Sequence, residues 1–168
     1  MRPVEGTYPK FLETYISKVK EDNAHEALLN NTKVLFDFLD SIPENKADFA
    51  YAEGKWTIKQ LLIHISDAER IFAYRALRFA RGDEQQPLPF EEDDYAANCH
   101  AERRTLKSVT DELKAVRQAT IHLVNSFGEE ELSKPGNTAS GRTNVNAIIY
   151  SICGHSAHHM NVAKEKYL

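Results

Sequence analysis

The sequence predicts an all-α protein, a four-helix bundle with a short leading helix and a long loop between the second and third long helices. Four segments carry apolar residues at intervals of three and four, the spacing that places side chains on one face of a helix. The 168 residues include only seven glycines and six prolines, so these segments contain few helix breakers. No segment shows the alternation expected of a β-strand. We expect one bundle domain spanning residues 1–168.

The leading helix and the first long helix are predicted from local signals. The stretch 9–19 carries three apolar residues at helical spacing: Phe11, Tyr15 and Val19. Asn23 is a favourable N-cap residue, and Glu26 follows three residues later, as in a capping box. The apolar stripe of the first long helix comprises Ala24, Leu28, Leu35, Leu39 and Ile42. Pro43 follows the stripe, so we expect the helix to end there.

The second long helix is predicted to begin at Thr57, which can form a capping box with Gln60. Its stripe comprises Ile58, Leu61, Leu62, Ile65, Ala68, Phe72, Ala76 and Phe79. Gly82 is a natural end signal. The polar segment 82–98 contains two prolines and is too long for a simple connection, which favours a covering role.

The third and fourth long helices lie on either side of a turn-rich segment. The third is expected over about residues 103–127, with a coiled-coil-like seam of Leu106, Val109, Leu113, Val116, Thr120, Leu123 and Phe127. Segment 133–144 is predicted to be a loop, and it lacks the GxxxxGK[ST] pattern of a phosphate-binding loop. The fourth helix is expected to start near Thr143, and its stripe begins with Val145, Ile148, Ile149 and Ile152.

Composition restricts the class of partner. The net charge of −4 is not the basic surface of a nucleic-acid-binding domain, and no apolar run is long enough to span a bilayer. The N-terminal stretch lacks the apolar core of a secretory signal. The two cysteines, Cys99 and Cys153, form no CxxC pattern. We therefore expect a cytoplasmic protein with a small-molecule substrate, and neither nucleic acid nor membrane as partner.

Histidines continue the apolar stripe of the fourth helix. His155 and His159 occupy the next inward positions, one turn apart on one face. His158 is rotated by about 100° from His159 and is expected on the flank. His64, at the edge of the stripe of the second helix, is the candidate third metal ligand. Three neutral imidazoles with an open position form a catalytic zinc arrangement, although imidazole also suits nickel and iron.

The same histidines also allow a purely structural interpretation. An i, i+4 histidine pair occurs often by chance, and a buried histidine can simply bond to a backbone carbonyl. Three inward histidines on two helices are harder to explain in this way, because each buried ring needs a partner. From the residues alone both interpretations stay open. The remaining histidines are expected to be solvated or partly buried helix residues: His25, His100 and His122.

Charged residues near these histidines have two interpretations each. Asp67 can orient a metal-bound histidine, or it can pair with Arg70, which we favour. Glu69 is an alternative acid nearer the apolar stripe. Arg75 and Arg78 can bind an acidic substrate group, or they can form a basic helix end near the C-terminal dipole, which we favour.

Two stretches resemble a known family. "GKWTIKQLLIHISDAE" at 54–69 and "HSAHHMNVAKEKYL" at 155–168 are similar to the anchors of the DinB-like, YfiT-like metal-binding four-helix bundles, and "PFEEDDYA" resembles the acidic-aromatic loop of that family. The family pattern of one histidine on the second helix and H-x-x-x-H on the last transfers to His64, His155 and His159. It leaves His158 outside the ligand set.

The resemblance implies one divalent metal per chain, with zinc or nickel expected, and a homodimer. Characterised relatives include bacillithiol-using thiol transferases and a mycothiol-dependent maleylpyruvate isomerase. The leading hypothesis is therefore a metal-dependent thiol S-transferase with a low-molecular-weight thiol as co-substrate. The alternatives are a metal-dependent hydrolase that activates water, a non-catalytic metal- or ligand-binding stress protein, and a structural bundle with core histidines.

Overall fold

Four long helices pack side by side in the computed structural model, which describes residues 1–168. They are α2 (Ala24–Ser41), α3 (Ile58–Ala80), α5 (Leu106–Val124) and α7 (Val145–Lys166). Shorter helices are α1 (Glu13–Ile16), α4 (Glu92–Asn98) and α6 (Glu129–Ser133), and 3-10 turns cover Lys10–Leu12, Glu44–Lys46 and Ala101–Arg103. α3 packs against α5 and α7, and α7 also contacts α1 and α2. The predicted all-α bundle is confirmed.

Capping side chains determine where the first two long helices begin. The Asn23 side chain accepts hydrogen bonds from the backbone N–H groups of His25 and Glu26, at 2.9 and 3.1 Å. Thr57 and Gln60 form the predicted reciprocal capping box. These contacts satisfy backbone N–H groups that have no hydrogen-bond partner inside the helix. The capping residues in the sequence therefore predict where both helices begin. None of the helices combines the length and apolar composition that crossing a lipid bilayer requires.

The third long helix differs from its prediction. It spans Leu106–Val124 instead of about 103–127, and Val116 and Leu123 on the expected seam are only partly buried. Arg117 and Val124 are buried instead. A straight helix of 3.6 residues per turn drifts by about 20° per heptad from a 3.5-residue repeat, so the buried face leaves the predicted seam.

The segment expected to be a loop contains a β-hairpin. Strands β1 (Pro135–Thr138) and β2 (Gly141–Asn144) pair antiparallel, with Gly136 opposite Thr143. A Cβ at Gly136 would lie 2.2 Å from a ring carbon of Phe79, so glycine lets the hairpin approach α3 closely. The expectation of no strands was wrong here because four-residue strands are too short to show an alternating pattern.

The leading segment is anchored on α7. The predicted single helix over 9–19 is a 3-10 turn followed by α1. A Cβ at Gly154 would lie only 2.0 Å from the carbonyl oxygen of Tyr15, so the absence of a side chain at Gly154 permits this contact. The close packing holds the Tyr15 ring 5.3 Å from the ring of His155.

A polar layer divides the core into two apolar halves. One apolar cluster includes Leu28, Phe79, Val124 and Ile149, and the other includes Leu35, Leu62, Leu113 and Met160. On each long helix the positions between the two clusters carry buried polar side chains, among them Thr32, Glu69, Arg117 and Ser156. The polar groups of all four helices therefore meet at one level of the bundle.

Arg117 is the centre of this layer. Its Nε and one terminal nitrogen each donate to a Glu69 carboxylate oxygen at 2.8 Å, and the two residues are 0% and 2% exposed. The other terminal nitrogen donates to Asn31 Oδ1 at 2.7 Å, and Ser156 Oγ donates to the same oxygen at 2.8 Å. Asn31 Nδ2 donates to the carbonyl of Cys153 at 3.0 Å. The network joins α2, α3, α5 and α7.

We expect Arg117→Ala to lower the free energy of unfolding by about 3–5 kcal/mol, because it leaves the Glu69 carboxylate buried and unpaired. The double variant Glu69→Leu/Arg117→Met removes both charges and should regain most of that loss. Urea denaturation measures both effects, with Arg70→Ala in an exposed ion pair as a control costing less than about 1 kcal/mol. Equal losses in the Arg117 and Arg70 variants would contradict the central role of this pair.

Candidate metal centre

Three histidine side chains converge between α3 and α7. The Nε2 atom of His64 lies 3.0 Å from Nε2 of His155 and 3.2 Å from Nε2 of His159. The latter two Nε2 atoms lie 3.1 Å apart. His155 and His159 are one turn apart on α7, and the packing of α3 on α7 brings His64 against them. The structure thus brings together the three histidines selected from sequence.

Hydrogen bonding alone does not explain this triangle. A neutral imidazole nitrogen is either a donor or an acceptor, so three nitrogens in mutual contact cannot form three hydrogen bonds at once. A tetrahedral zinc site with zinc–nitrogen bonds of about 2.0–2.1 Å places its nitrogens about 3.3 Å apart. The observed separations of 3.0–3.2 Å are close to that value. The donor set therefore fits one divalent cation.

Burial keeps these histidines in the neutral form that binds metals. Desolvation lowers the pKa of His64 to about 4, and the charge of Asp93 opposes this shift weakly. Desolvation and the neighbouring histidines lower the pKa of His159 to about 3 and that of His155 well below its usual value. All three lone pairs are consequently available at neutral pH without proton release.

The His64 ring is held by packing. Its Nδ1 atom is buried without a hydrogen-bond partner, and the Trp56 ring lies 4.8 Å away between centroids. His158 is outside the triangle: it is partly exposed, and its ring lies 5.9 Å from that of Tyr15. His158 therefore lies on the flank of its helix, as predicted.

The other residues considered from sequence have different partners. Asp67 accepts from Arg70 at 3.2 Å, as favoured, and Glu69 pairs with Arg117 inside the bundle. Arg78 donates to Asp83 at 2.7 Å. Burial raises the pKa of the Cys153 thiol to about 12, so Cys153 is an inert core residue.

A cavity of about 250 Å³ opens beside the histidines and is lined by His64 and His155. Four aromatic side chains form much of its wall: Phe11, Tyr15, Phe72 and Phe90. Pro89, Phe90 and Glu92 of the long 82–98 segment line it as well, so this segment forms part of the cavity wall. The hairpin turn contributes residues 138–140. The volume lies just below the range of about 300–1,000 Å³ that is typical of small-molecule sites.

Two residues beside the histidines were not selected from sequence. A Glu92 carboxylate oxygen lies 4.0 Å from His64 Nε2, and its side chain is 62% exposed. Burial, followed by the charge of Glu92, raises the pKa of Tyr15, so its hydroxyl keeps its proton at neutral pH. The acidic run at 91–94 and the aromatic residues of the leading segment were the only sequence signals for them.

Comparisons with known proteins agree with this architecture. The model of the DinB superfamily matches residues 27–163. A protein of Oceanobacillus iheyensis named a "putative metal-dependent hydrolase" is 25% identical over 148 residues, which cover 85% of this chain and 84% of that protein.

Two solved structures share the fold. YfiT from Bacillus subtilis, described as "a probable metal-dependent hydrolase with an unusual four-helix bundle topology", superposes with a TM-score of 0.73 at 14% identity. The match covers 98% of this chain and 90% of YfiT. A mycothiol-dependent maleylpyruvate isomerase gives a TM-score of 0.65 at 12% identity, covering 90% of this chain and 62% of the isomerase.

The lowered histidine pKa values predict an acid-sensitive metal-free protein. An unfolded histidine binds a proton near pH 6.5, whereas His64, His155 and His159 stay neutral in the folded chain. The unfolded state therefore gains protons as the pH falls through about 6.5. Below that pH the free energy of unfolding should decrease by about 1.4 kcal/mol per pH unit for each such histidine, with little change above it.

Urea denaturation of chelator-treated protein between pH 7.5 and 5 measures this slope, above the range where most carboxylates titrate. A variant with His155→Gln and His159→Gln serves as the comparison and should show a shallower slope. A free energy independent of pH over this window would contradict the burial argument.

Proposed function

Because this chain belongs to the DinB superfamily and three of its imidazole nitrogens converge at the edge of a cavity, we propose that it is a metal-dependent enzyme acting on a small molecule. His64, His155 and His159 are the proposed ligands of one divalent ion, zinc or nickel. The observation that carries this proposal is the triangle of Nε2 atoms at 3.0–3.2 Å.

The bound cation would supply a positive charge that favours the deprotonated form of a water or thiol nucleophile. Three neutral imidazoles contribute no charge of their own, so the positive charge is retained at the cavity edge. An imidazole set accepts both zinc and nickel, which is why both are proposed. A homodimer stays a prediction from the family resemblance.

The nucleophile in this proposal comes from outside the chain. Cys153 is fully buried with a raised pKa, and Cys99 does not line the cavity. Ser151 lines the cavity, but its hydroxyl donates to the carbonyl of Ala147 and has no neighbouring base bonded to it. A side-chain nucleophile of the activated serine or cysteine type is therefore not assembled here.

A low-molecular-weight thiol is our first candidate nucleophile. A thiol is ionised more easily than water, and its thiolate is the reactive form near neutral pH. The fold shared with a mycothiol-dependent isomerase supports this choice by analogy only, because the identity is 12%. In this reaction the thiol gives its proton to the Glu92 carboxylate, the thiolate sulfur forms a bond to an electrophilic carbon, and the leaving group departs with the bonding electrons.

Hydrolysis is the second candidate, favoured by the name of the Oceanobacillus iheyensis relative and by the position of Glu92. A carboxylate 4.0 Å from His64 Nε2 is placed to accept the proton of a nucleophile held beside the histidines. The Tyr15 hydroxyl, which keeps its proton, can donate to a developing oxyanion. The aromatic walls offer apolar contacts to the body of a substrate.

Metal content tests the ligand set directly. We expect about one divalent ion per chain in the purified protein, and a strong loss of metal in His64→Ala, His155→Ala and His159→Ala because each removes one of three donors. His158→Ala is the matched control and should keep its metal. Elemental analysis of folded protein provides the measurement, and equal metal content in all four variants would overturn the assignment.

Turnover by the metal-loaded protein distinguishes the two reactions. A low-molecular-weight thiol with 1-chloro-2,4-dinitrobenzene reports thiol transfer, and a nitrophenyl ester without thiol reports hydrolysis. Glu92→Gln should lower kcat of the preferred reaction by about a hundredfold because the proton acceptor is lost. Glu91→Gln, whose side chain does not line the cavity, is the control. Turnover that survives complete metal removal would contradict the proposed mechanism.

A further inference from the structure

Arg75 is partly buried and, unlike the fully buried Arg117, has no carboxylate partner. Arg117 uses its Nε and a terminal nitrogen to hold both oxygens of Glu69. The Nε of Arg75 is buried without any acceptor, and its one hydrogen bond is a long contact of 3.5 Å to the carbonyl of Leu88. Burial lowers the pKa of the Arg75 guanidinium without an offsetting carboxylate. A partly buried cation with an unpaired donor is suited to an external anion.

A second residue with an unpaired polar atom lines the same cavity. Thr143 is 1% exposed, and its Oγ1 has no hydrogen-bond partner. Thr143 and Arg75 both line the cavity that His64 and His155 border. Buried hydroxyls and guanidinium groups are normally hydrogen-bonded, so two unpaired groups around one cavity indicate a ligand that bonds to them.

The geometry of α3 sets an upper limit on the length of such a ligand. Arg75 follows His64 by eleven positions on this helix, which corresponds to about 16 Å along the helix axis. The cavity runs between them past the rings of Phe72 and Phe90 and the side chain of Ile148. The matching molecule is extended, with an anion at one end and an apolar body.

We infer that the cavity binds a small organic carboxylate, whose carboxylate group pairs with Arg75 and bonds to Thr143 and whose reactive part lies beside the histidine triangle. A planar carboxylate matches the fork of one guanidinium, which can donate two parallel hydrogen bonds to it. This inference rests on the proposed function for the reactive end. The anion subsite itself does not depend on the metal. It also reverses the interpretation of Arg75 as a simple basic helix end.

Calorimetry with 4-phenylbutyrate and its neutral analogue 4-phenylbutyramide tests the subsite. The protein is used in metal-loaded and chelator-treated forms, because a metal can bind a carboxylate by itself. We expect the carboxylate to bind more tightly than the amide in both forms. Arg75→Met should weaken carboxylate binding about ten- to hundredfold and leave amide binding unchanged.

Three further variants refine the test. Arg75→Lys keeps the charge but loses the fork, so it should fall between wild type and Arg75→Met, and it replaces that variant if Arg75→Met does not fold. Thr143→Val should weaken carboxylate binding by a smaller factor. Arg81→Met, which changes an exposed arginine outside the cavity, should bind as wild type does.

Several outcomes overturn the inference. These are no binding of either probe to wild type, equal affinity for carboxylate and amide, equal losses in Arg75→Met and Arg81→Met, and carboxylate preference only in the metal-loaded form. Carboxylate binding that depends on Arg75 in metal-free protein supports the subsite even if no metal is found. Failure of the proposed function is thereby distinguished from failure of this inference.

Discussion

The buried pair of Glu69 and Arg117 is the constraint on which the rest of the bundle depends. Removing two charges from water is costly, and only complete hydrogen bonding at close range offsets that cost. The two 2.8 Å bonds, together with Asn31 and Ser156, provide it, and they do so with residues from all four long helices. A sliding displacement of any one helix would leave a charge or amide unpaired, so the network sets the axial register of the bundle.

The register set by this network is also the register of the histidine triangle. Ser156 follows His155 directly, so the two side chains leave α7 about 100° apart, one into the network and the other toward the cavity. Glu69 follows His64 by five residues on α3. The polar layer therefore has a closed side, where the charges are paired, and an open side, where imidazole nitrogens face a cavity. Close packing of Gly154 on α1 positions Tyr15 at this open side.

The predicted fold agreed with the structure wherever the signal was local or strictly periodic. The caps at Asn23 and Thr57 and the long apolar stripes depend on residues within one or two turns, which is why they could be read from sequence. The hairpin was missed because its glycine-containing strands carry no pattern and gain their stability from packing on Phe79. Arg117 was missed because it lies beside the predicted stripe, and a charged residue is not expected inside a core unless its partner is known.

The sequence by itself determined the four-helix architecture and the inward direction of His155 and His159, because helical geometry alone relates residues four apart. It also identified His64 as a candidate, through its place beside an apolar stripe and through a family resemblance. Only the tertiary structure decided that the three Nε2 atoms meet, that Glu69 binds Arg117 instead of serving as an acid, and that Glu92 and Arg75 face one cavity. Those outcomes depend on distances between helices far apart in the chain, which no periodicity within a single helix encodes.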